Sequence, residues 1–179
     1  MLPPVDEHPL TKRHRRTEFD CGEPALNEYL ARFAMQGHQR GGAKTFVTCP
    51  RAEPTRILGH YTLAPASVAF ARVPASVTKG LVRHEAPMFR LARLAVDRTV
   101  QGQGLGQALL FAAGARCLAV AEEVGGVALV IDAKSERAAR WYAGFGAVRL
   151  DDAPMTLIFP LATIATEIKR ATKAGRSSS

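Results

Sequence analysis

The 179-residue sequence has only three cysteines, and none of its apolar runs approaches the roughly 20 residues that a membrane span requires. Cys21, Cys49 and Cys117 show neither C-x-x-C spacing nor histidine neighbours in a metal-binding pattern. They predict free thiols and no metal site. The polar N-terminus has no apolar segment typical of a signal peptide. We therefore expect a cytoplasmic protein that does not associate with membranes.

Acidic residues are in deficit, with 16 Asp and Glu against 24 Lys and Arg, for a net charge of +8. The excess is concentrated in residues 41–93, which hold eight Lys and Arg but only two acids, Glu53 and Glu85. Such a distribution favours a basic face for a polyanionic substrate or partner. The alternative is an arginine-rich composition without a binding role.

The chain length and its 47% hydrophobic content are typical of one globular domain. From Ala165 onward the composition becomes polar, and the sequence ends in Gly-Arg-Ser-Ser-Ser. We predict a single domain over residues 1–164, followed by a basic, disordered tail over residues 165–179.

The most informative stretch is a strand over residues 91–96, a glycine-rich loop over residues 101–106 and a helix from about Gly104 to about Val120. Backbone N–H groups in such a loop, next to a helix N-terminus, suit a phosphate or pyrophosphate. No Lys-Ser/Thr pair follows Gly106, so the loop lacks the residues that a P-loop nucleotide triphosphatase needs and does not favour that function. A plain strand-to-helix turn is the alternative.

The remaining pattern predicts alternating strands and helices. An apolar stripe at helical spacing (Leu26, Tyr29, Leu30 and Phe33) indicates core packing in a helix that begins near Pro24 and ends by Gly37. Residues 1–18 are either a loose basic arm or the lead into a first strand. Ser135 is a good N-cap for a later helix. Strands are predicted at residues 45–49, 56–63, 66–73, 88–96, 127–131, 147–150 and 155–159.

Gln101, Gly104 and Gly106 match the pattern Gln/Arg-x-x-Gly-x-Gly/Ala, and residues 132–147 hold small residues before Trp141-Tyr142 and a Gly-Phe turn. In these two signatures and their order the chain resembles the GNAT superfamily of acetyl-CoA-dependent N-acetyltransferases. The resemblance implies an α/β fold with a central, mixed, mostly antiparallel sheet flanked by helices.

The resemblance also implies site residues. Acetyl-CoA would be the co-substrate, with its pyrophosphate on the loop amides and its pantetheine arm along the preceding strand. Tyr142 matches the general acid of the family, although a packed aromatic beside Trp141 is the alternative. Ser135 would contact the cofactor, although helix capping explains it equally well. The implied cofactor-binding residues are Leu94, Ala95, Val96, Gln101, Gly102, Gln103, Gly104, Leu105, Gly106 and Ser135.

A general base is not evident from the sequence. The candidates are His84, Glu85, Asp97 and Asp132. A substrate amine of low pKa, such as that of an aminoacyl ester, requires no dedicated base.

A narrower resemblance is to the GNAT toxins of bacterial type II toxin–antitoxin modules, which acetylate the amino group of aminoacyl-tRNA and have ribbon-helix-helix antitoxins. It implies tRNA contacts at Lys44, Arg90 and Arg93, with Arg32 as a further candidate. Arg90 and Arg93 differ by an odd number, so an ideal strand puts them on opposite faces. Whether the protein forms a homodimer stays open. The segments that carry this resemblance are residues 19–22, 26–30, 42–47, 59–64 and 91–97.

Two other functions remain compatible with the sequence. One is a GNAT enzyme that acetylates protein N-termini or small amines, which would not need the basic region. The other is a non-catalytic member that binds coenzyme A or a partner.

Overall fold

The computed structural model describes residues 1–81 and 85–177. In these residues seven strands form one mixed sheet in the order β1-β2-β3-β4-β5-β7-β6. The β4–β5 pair is parallel, and the pairs β1–β2, β2–β3, β5–β7 and β6–β7 are antiparallel. The predicted mixed, mostly antiparallel sheet is thus confirmed. The strands are β1 (Val5–Pro9), β2 (Lys44–Pro50), β3 (Gly59–Ala69), β4 (Glu85–Val96), β5 (Ala128–Asp132), β6 (Val148–Arg149) and β7 (Thr156–Pro160).

Helices occupy most of the connections between strands. A π-helix, Tyr29–Phe33, joins the first two α-helices into one continuous helical segment. The α-helices are α1 (Pro24–Glu28), α2 (Ala34–Arg40), α3 (Ala75–Thr78), α4 (Leu105–Val124), α5 (Glu136–Ala143) and α6 (Leu161–Ser177).

The first of two compact units contains Met1–Ala64 and Ala92–Leu110. The N-terminal residues form β1, which pairs with β2 from Val5↔Pro50 to Pro9↔Phe46, so they are a strand and not a loose arm. Gly59 is required by close packing, because a Cβ there would lie 2.8 Å from Leu109 Cδ1. The core of this unit includes Leu10, Phe19, Leu26, Leu30, Val47 and Ile57.

The second unit contains Pro65–Leu91 and the chain from Phe111 onward. Ala128, Leu129, Val130 and Ile131 of β5 are all buried, as expected for a strand covered on both faces. Three aromatic rings pack edge to face in this unit, with Phe145 contacting both Phe111 (5.6 Å between ring centres) and Trp141 (5.0 Å).

The first helical segment is longer than the sequence predicted. It continues through Gly37 to Arg40 and ends at Gly41, whose φ of 78° is left-handed. A glycine inside a helix costs about 1 kcal/mol relative to alanine. Ala34 and Met35 are buried in the same helix, and their burial stabilises the continuation.

The prediction of a disordered tail from residue 165 is wrong for the described residues, because α6 extends from Leu161 to Ser177. Leu161 and Ile164 are buried, so the helix begins on packed residues and propagates from them. Ile164 packs on Gly114, where a Cβ would come within 2.5 Å of Ile164 Cγ2. The sequence did not predict this helix, because the composition from residue 165 onward is polar.

We expected no segment long and apolar enough to span a membrane. By length and composition alone, this expectation is wrong. In the described residues, the 20-residue helix α4 meets both. Core helices of soluble proteins meet the same criteria. Leu109, Leu110, Ala113 and Cys117 of α4 are buried on one face, which is the pattern of a helix packed in a core.

Candidate functional site

The turn after β4 is organised by Asp97, which is 7% exposed. Its backbone N–H donates to the Leu58 carbonyl (2.8 Å), and its carboxylate accepts from the backbone N–H groups of Asp20 (3.1 Å) and Thr99 (3.0 Å). This carboxylate therefore fixes the chain between β4 and the glycine loop. As a candidate general base, Asp97 is already engaged in structural hydrogen bonds.

Gln101 is the first residue of the glycine loop, and its side chain stabilises the loop through hydrogen bonds to the backbone. Its Nε2 donates to the carbonyls of Val96 and Cys21, both at 2.9 Å. The amide side chain thus ties the loop to the end of β4 and to the N-terminal region.

The loop glycines adopt a conformation that other residues avoid. Gly102 and Gly104 have φ values of 75° and 86°, and no atom lies within 4 Å of a Cβ built on either residue. Leu105 is buried and fixes the start of α4, where the Ala108 N–H donates to the Gly104 carbonyl (3.1 Å). The amides ahead of Ala108 have no carbonyl one helical turn earlier. An open, glycine-lined helix start of this kind fits a diphosphate.

The strand before the glycine loop, β4, extends beyond the residues that pair with β5. The β4–β5 register runs from Met88↔Ala128 to Leu91↔Ile131, whereas β4 continues to Val96. Ala95 is buried, and Leu94 and Val96 are half-buried. An unpaired strand edge can accept an extended, amide-containing arm through backbone hydrogen bonds.

Tyr142 lies in α5, in the second unit, whereas the loop and the end of β4 lie in the first. Its side chain is half-buried, and its ring packs edge to face on Trp141 with 4.9 Å between ring centres. Burial raises the pKa of the Tyr142 hydroxyl to about 12. The phenol therefore keeps its proton at neutral pH and can act as a hydrogen-bond donor or an acid.

Ser135 caps helix α5, because its Oγ accepts a hydrogen bond from the Ala138 N–H at 3.1 Å. The side chain is exposed. The capping role is thus observed, and cofactor contact stays a prediction.

The other candidate bases have partners of their own. Asp132 forms an ion pair with Arg90 and accepts a hydrogen bond from the Thr156 hydroxyl (2.9 Å). Glu85 accepts a hydrogen bond from the Ser67 hydroxyl. His84 lies outside the described residues. The Arg90 side chain is 40% exposed despite its ion pair, so part of it faces solvent.

Arg93, in the first unit, lies with its guanidinium 4.7 Å from the centre of the Tyr29 ring and donates to the Ala92 carbonyl (2.6 Å). No carboxylate in the described part of the chain is within ion-pair distance of it. Lys44 is exposed and donates to the His38 carbonyl (2.9 Å), and Arg32 pairs with Glu28 (3.2 Å). Of the basic residues considered, Arg93 is therefore the one whose charge faces an aromatic ring.

The buried positions along β4 change parity, with Ala86 and Met88 buried in its first half and Leu91 and Ala95 in its second. The rule of opposite faces, which assumes strict alternation, therefore does not assign Arg90 and Arg93 to faces.

Sequence reasoning missed two residues near Arg93. Tyr29 packs against the core, as the sequence predicts, and its ring also contacts the Arg93 guanidinium. A tyrosine in an apolar stripe has a hydroxyl that needs a partner. His60 is fully buried, and neither ring nitrogen has a hydrogen-bond partner among the described residues. Burial, together with the nearby Arg93, lowers the pKa of His60 to about 3. Nothing in the sequence distinguishes His60 from an ordinary strand residue.

Among the described residues, no group of three or more His, Cys, Asp or Glu side chains is arranged to hold a metal ion.

The mixed sheet and the glycine loop between β4 and α4 are the features that the resemblance to GNAT enzymes predicts. Residues 38–154 match the family model for the acetyltransferase (GNAT) domain. The chain belongs to the GNAT acetyltransferase family, and the predicted family and enzyme class are thus confirmed.

Within the family, the chain is similar to several toxins. The chain is 40% identical to a tRNA-acetylating toxin of Mycobacterium tuberculosis (strain ATCC 25618 / H37Rv) over 129 residues, which cover 72% of this chain and 75% of the relative. It resembles the structure of AtaT complexed with acetyl-methionyl-tRNAfMet at a TM-score of 0.85 and 28% identity, covering 92% of this chain and 99% of that one. It also resembles the structure of a tyrosine-to-phenylalanine mutant of AtaT bound to the C-terminus of the antitoxin AtaR and acetyl-CoA. The TM-score is 0.78 and the identity 28%, and the match covers 92% of this chain and 98% of that one.

Proposed function

We propose that this enzyme transfers the acetyl group of acetyl-CoA to the amino group of an aminoacyl-tRNA and thereby blocks translation. The observation that carries the proposal is the similarity to a tRNA-acetylating toxin over most of both chains. The net charge of +8 supports a polyanionic substrate. A GNAT enzyme for small amines would not need this charge.

The glycine loop is proposed to bind the pyrophosphate of acetyl-CoA. Gly102, Gln103, Gly104, Leu105 and Gly106 would offer backbone amides. Gln101 would act through its two hydrogen bonds to backbone carbonyls, which hold the loop in shape. This division of roles follows from the side chain of Gln101 being occupied within the protein.

The end of β4 is proposed to orient the pantetheine arm. The backbone of Leu94 and Val96 would pair with its amides, while the buried Ala95 keeps the strand in place. Ser135 is proposed to contact the cofactor while it also caps α5. The thioester would then be presented to the substrate amine at the open edge of β4.

Tyr142 is proposed as the general acid. The amine nitrogen attacks the thioester carbonyl carbon, a C–N bond forms, and the C–S bond breaks. The Tyr142 hydroxyl donates its proton to the departing thiolate and is reprotonated from solvent, while the amine loses a proton to water. The raised pKa supports this role, because it keeps the phenol protonated at neutral pH.

Arg93, Lys44 and Arg90 are proposed to contact the tRNA. Arg93 is the strongest of the three, because its guanidinium lies on an aromatic face and is not neutralised by a carboxylate in the described residues. Lys44 and Arg90 already have intramolecular partners, so their contribution should be smaller.

The proposed regulatory partner is a small antitoxin with a ribbon-helix-helix fold. We propose that the two proteins form their complex in the cytoplasm. The similar AtaT structure includes the C-terminus of an antitoxin, which supports a protein partner here. Light scattering of the purified protein would distinguish a homodimer from a monomer.

The experiment is acetylation with labelled acetyl-CoA of total charged tRNA, compared with a panel of small amines and peptides with free N-termini. The expected product is acetyl-aminoacyl-tRNA, identified after digestion of the RNA. Preferential labelling of peptides or small amines would favour another GNAT substrate. Absence of any product despite acetyl-CoA binding would indicate a non-catalytic member.

A further inference from the structure

The N-terminal basic cluster, residues 12–16, separates into two groups in the fold. Arg15 pairs with Glu18 (2.9 Å) and with Glu53, and Arg16 donates to the Ala31 carbonyl (2.9 Å). These two arginines hold the first unit together. Arg13 and His14 instead line a surface cleft.

The cleft has a volume of about 410 Å³ and lies entirely within the first unit. Its basic lining residues are His8, Arg13 and His14, and the rest of the lining is proline and threonine. No carboxylate lines it, and Arg13 forms no ion pair within the described part of the chain. The positive charge of Arg13 is therefore not compensated by a carboxylate in the lining of the cleft.

The polar groups of the cleft are held in place. The Thr11 backbone N–H donates to His14 Nδ1 at 3.0 Å, so this nitrogen is unprotonated and the proton of the neutral ring is on Nε2. The ring centres of His8 and His14 are 6.2 Å apart. Burial lowers the pKa of His14, and the nearby His8 acts in the same direction. An anion bound beside the two rings would favour their protonated forms.

A second cleft of the same unit provides a comparison. It has a volume of about 500 Å³, and its lining contains three arginines together with four carboxylates. Arg98 there pairs with Asp20 at 3.1 Å, and Arg56 with Glu53 at 3.8 Å. Positive charge in that cleft is balanced internally, so it offers no net attraction to an anion.

We propose that the cleft lined by His8, Thr11, Arg13 and His14 binds one backbone phosphate of the tRNA substrate. The inference rests on the proposed function for the identity of the ligand. A phosphodiester matches the site chemically, because Arg13 supplies a planar donor group and His14 an N–H donor. The Thr11 hydroxyl lies 3.2 Å from His14 Nδ1 and helps to hold the ring. Such a contact positions the RNA without reading its sequence.

The first test measures binding of uncharged tRNA without acetyl-CoA, as a function of salt. Arg13→Ala should weaken binding about three- to tenfold at low salt and reduce the slope of log K against log salt by about 0.7–0.9, the value for one lost phosphate contact. Lys12→Ala is the matched control, because the neighbouring lysine is exposed and does not line the cleft. Arg56→Ala, in the balanced cleft, is the second control.

Two results of this test would overturn the proposal. One is an equal loss for Arg13→Ala and Lys12→Ala, which would indicate a diffuse electrostatic field. The other is an unchanged salt slope for Arg13→Ala. Because Arg13 is exposed, its replacement should not disturb folding, and His8→Gln provides a second variant with the same expected direction.

The second test follows histidine ring signals by NMR. Uncharged tRNA should shift the signals of His8 and His14 in the wild-type protein and leave those of the fully buried His60 unchanged. Shifts with inorganic phosphate but not with tRNA would mean that the cleft takes only a small anion, and the proposal would fail. Both tests measure binding alone, so a failure of acetylation in the separate assay would not be confused with a failure of the cleft.

Discussion

The guanidinium of Arg93 rests on the face of the Tyr29 ring, 4.7 Å from its centre. The Tyr29 hydroxyl donates to Thr62 Oγ1 (3.4 Å), and Thr62 Oγ1 bonds in turn with Thr45 Oγ1 (2.9 Å) inside the sheet. The ring is therefore oriented by two buried threonines. Arg93 receives a fixed direction without being neutralised by a carboxylate among the described residues.

If Arg93 contacts the tRNA, removing the ring beneath it should weaken substrate binding. Tyr29→Leu should raise the KM for aminoacyl-tRNA about two- to fivefold with little change in kcat, because a cation–π contact at an exposed site contributes about 0.5–1 kcal/mol. Steady-state kinetics at saturating acetyl-CoA would measure this.

Tyr29→Phe is the control for that prediction. It keeps the ring and loses only the hydrogen bond to Thr62, so the KM should stay close to the wild-type value. Equal increases in KM for the two variants would assign the effect to the hydroxyl and contradict a role for the ring.

Tyr142→Phe should lower kcat about 100- to 10,000-fold, which is the usual contribution of a general acid. The affinity for acetyl-CoA, measured by calorimetry, should be unchanged, because the ring and its packing on Trp141 are retained. Trp141→Phe is a suitable control for disturbed packing. Wild-type turnover in Tyr142→Phe would remove the tyrosine from the mechanism.

The pH dependence of kcat provides an independent check. Because burial raises the pKa of Tyr142 to about 12, the general acid stays protonated well above its ordinary pKa of about 10. We expect no loss of kcat from tyrosine ionisation between about pH 8 and 10.5. An alkaline decline near pH 10 in the wild type that vanishes in Tyr142→Phe would contradict the buried, protonated state.

The glycine loop should tolerate no side chain at Gly104. Its φ of 86° is left-handed, and an alanine in that conformation costs about 1–2 kcal/mol. Gly104→Ala should therefore raise the Kd for acetyl-CoA about five- to thirtyfold, measured by calorimetry. Gly42→Ala is the control, because that glycine is outside the loop, has no positive φ and has no atom within 4 Å of a built Cβ. An equal effect of both substitutions would argue against the loop.

His60→Leu should stabilise the protein, because it removes two buried nitrogens that have no partner among the described residues. The expected gain in the free energy of unfolding is about 1 kcal/mol or more at pH 7. Thermal or denaturant unfolding would measure it.

The stabilisation by His60→Leu should increase as the pH decreases. In the wild type, His60 has a pKa of about 3 when folded and about 6.5 when unfolded, so the unfolded state binds the extra proton between these values and stability falls as pH decreases. This loss amounts to at most about 1.4 kcal/mol per pH unit, and His60→Leu should lack it. A destabilised variant, or an unchanged acid slope, would indicate that His60 has a partner such as a bound water.

The glycine loop was predictable because its chemistry is local. The positive φ of Gly102 and Gly104 follows from a tight strand-to-helix turn, and these few residues reveal it. Apolar β5 was predictable for a similar reason, since four consecutive buried residues need cover on both faces. The ends of helices were predicted less well. Helix α6 was missed because its composition is mostly polar, whereas in the structure a short buried stretch at its start stabilises it.

The sequence by itself determined the family and the class of enzyme, through its resemblance to GNAT acetyltransferases, and it determined the glycine loop between β4 and α4, because short local patterns carry both. Only the tertiary structure decided what the charged and buried polar residues do. It directed Arg90 to Asp132 and Arg93 to Tyr29, and it left both ring nitrogens of His60 without a hydrogen-bond partner among the described residues. The physical reason is that ion pairs and ring contacts join residues far apart in the chain, and spacing along the sequence does not encode them.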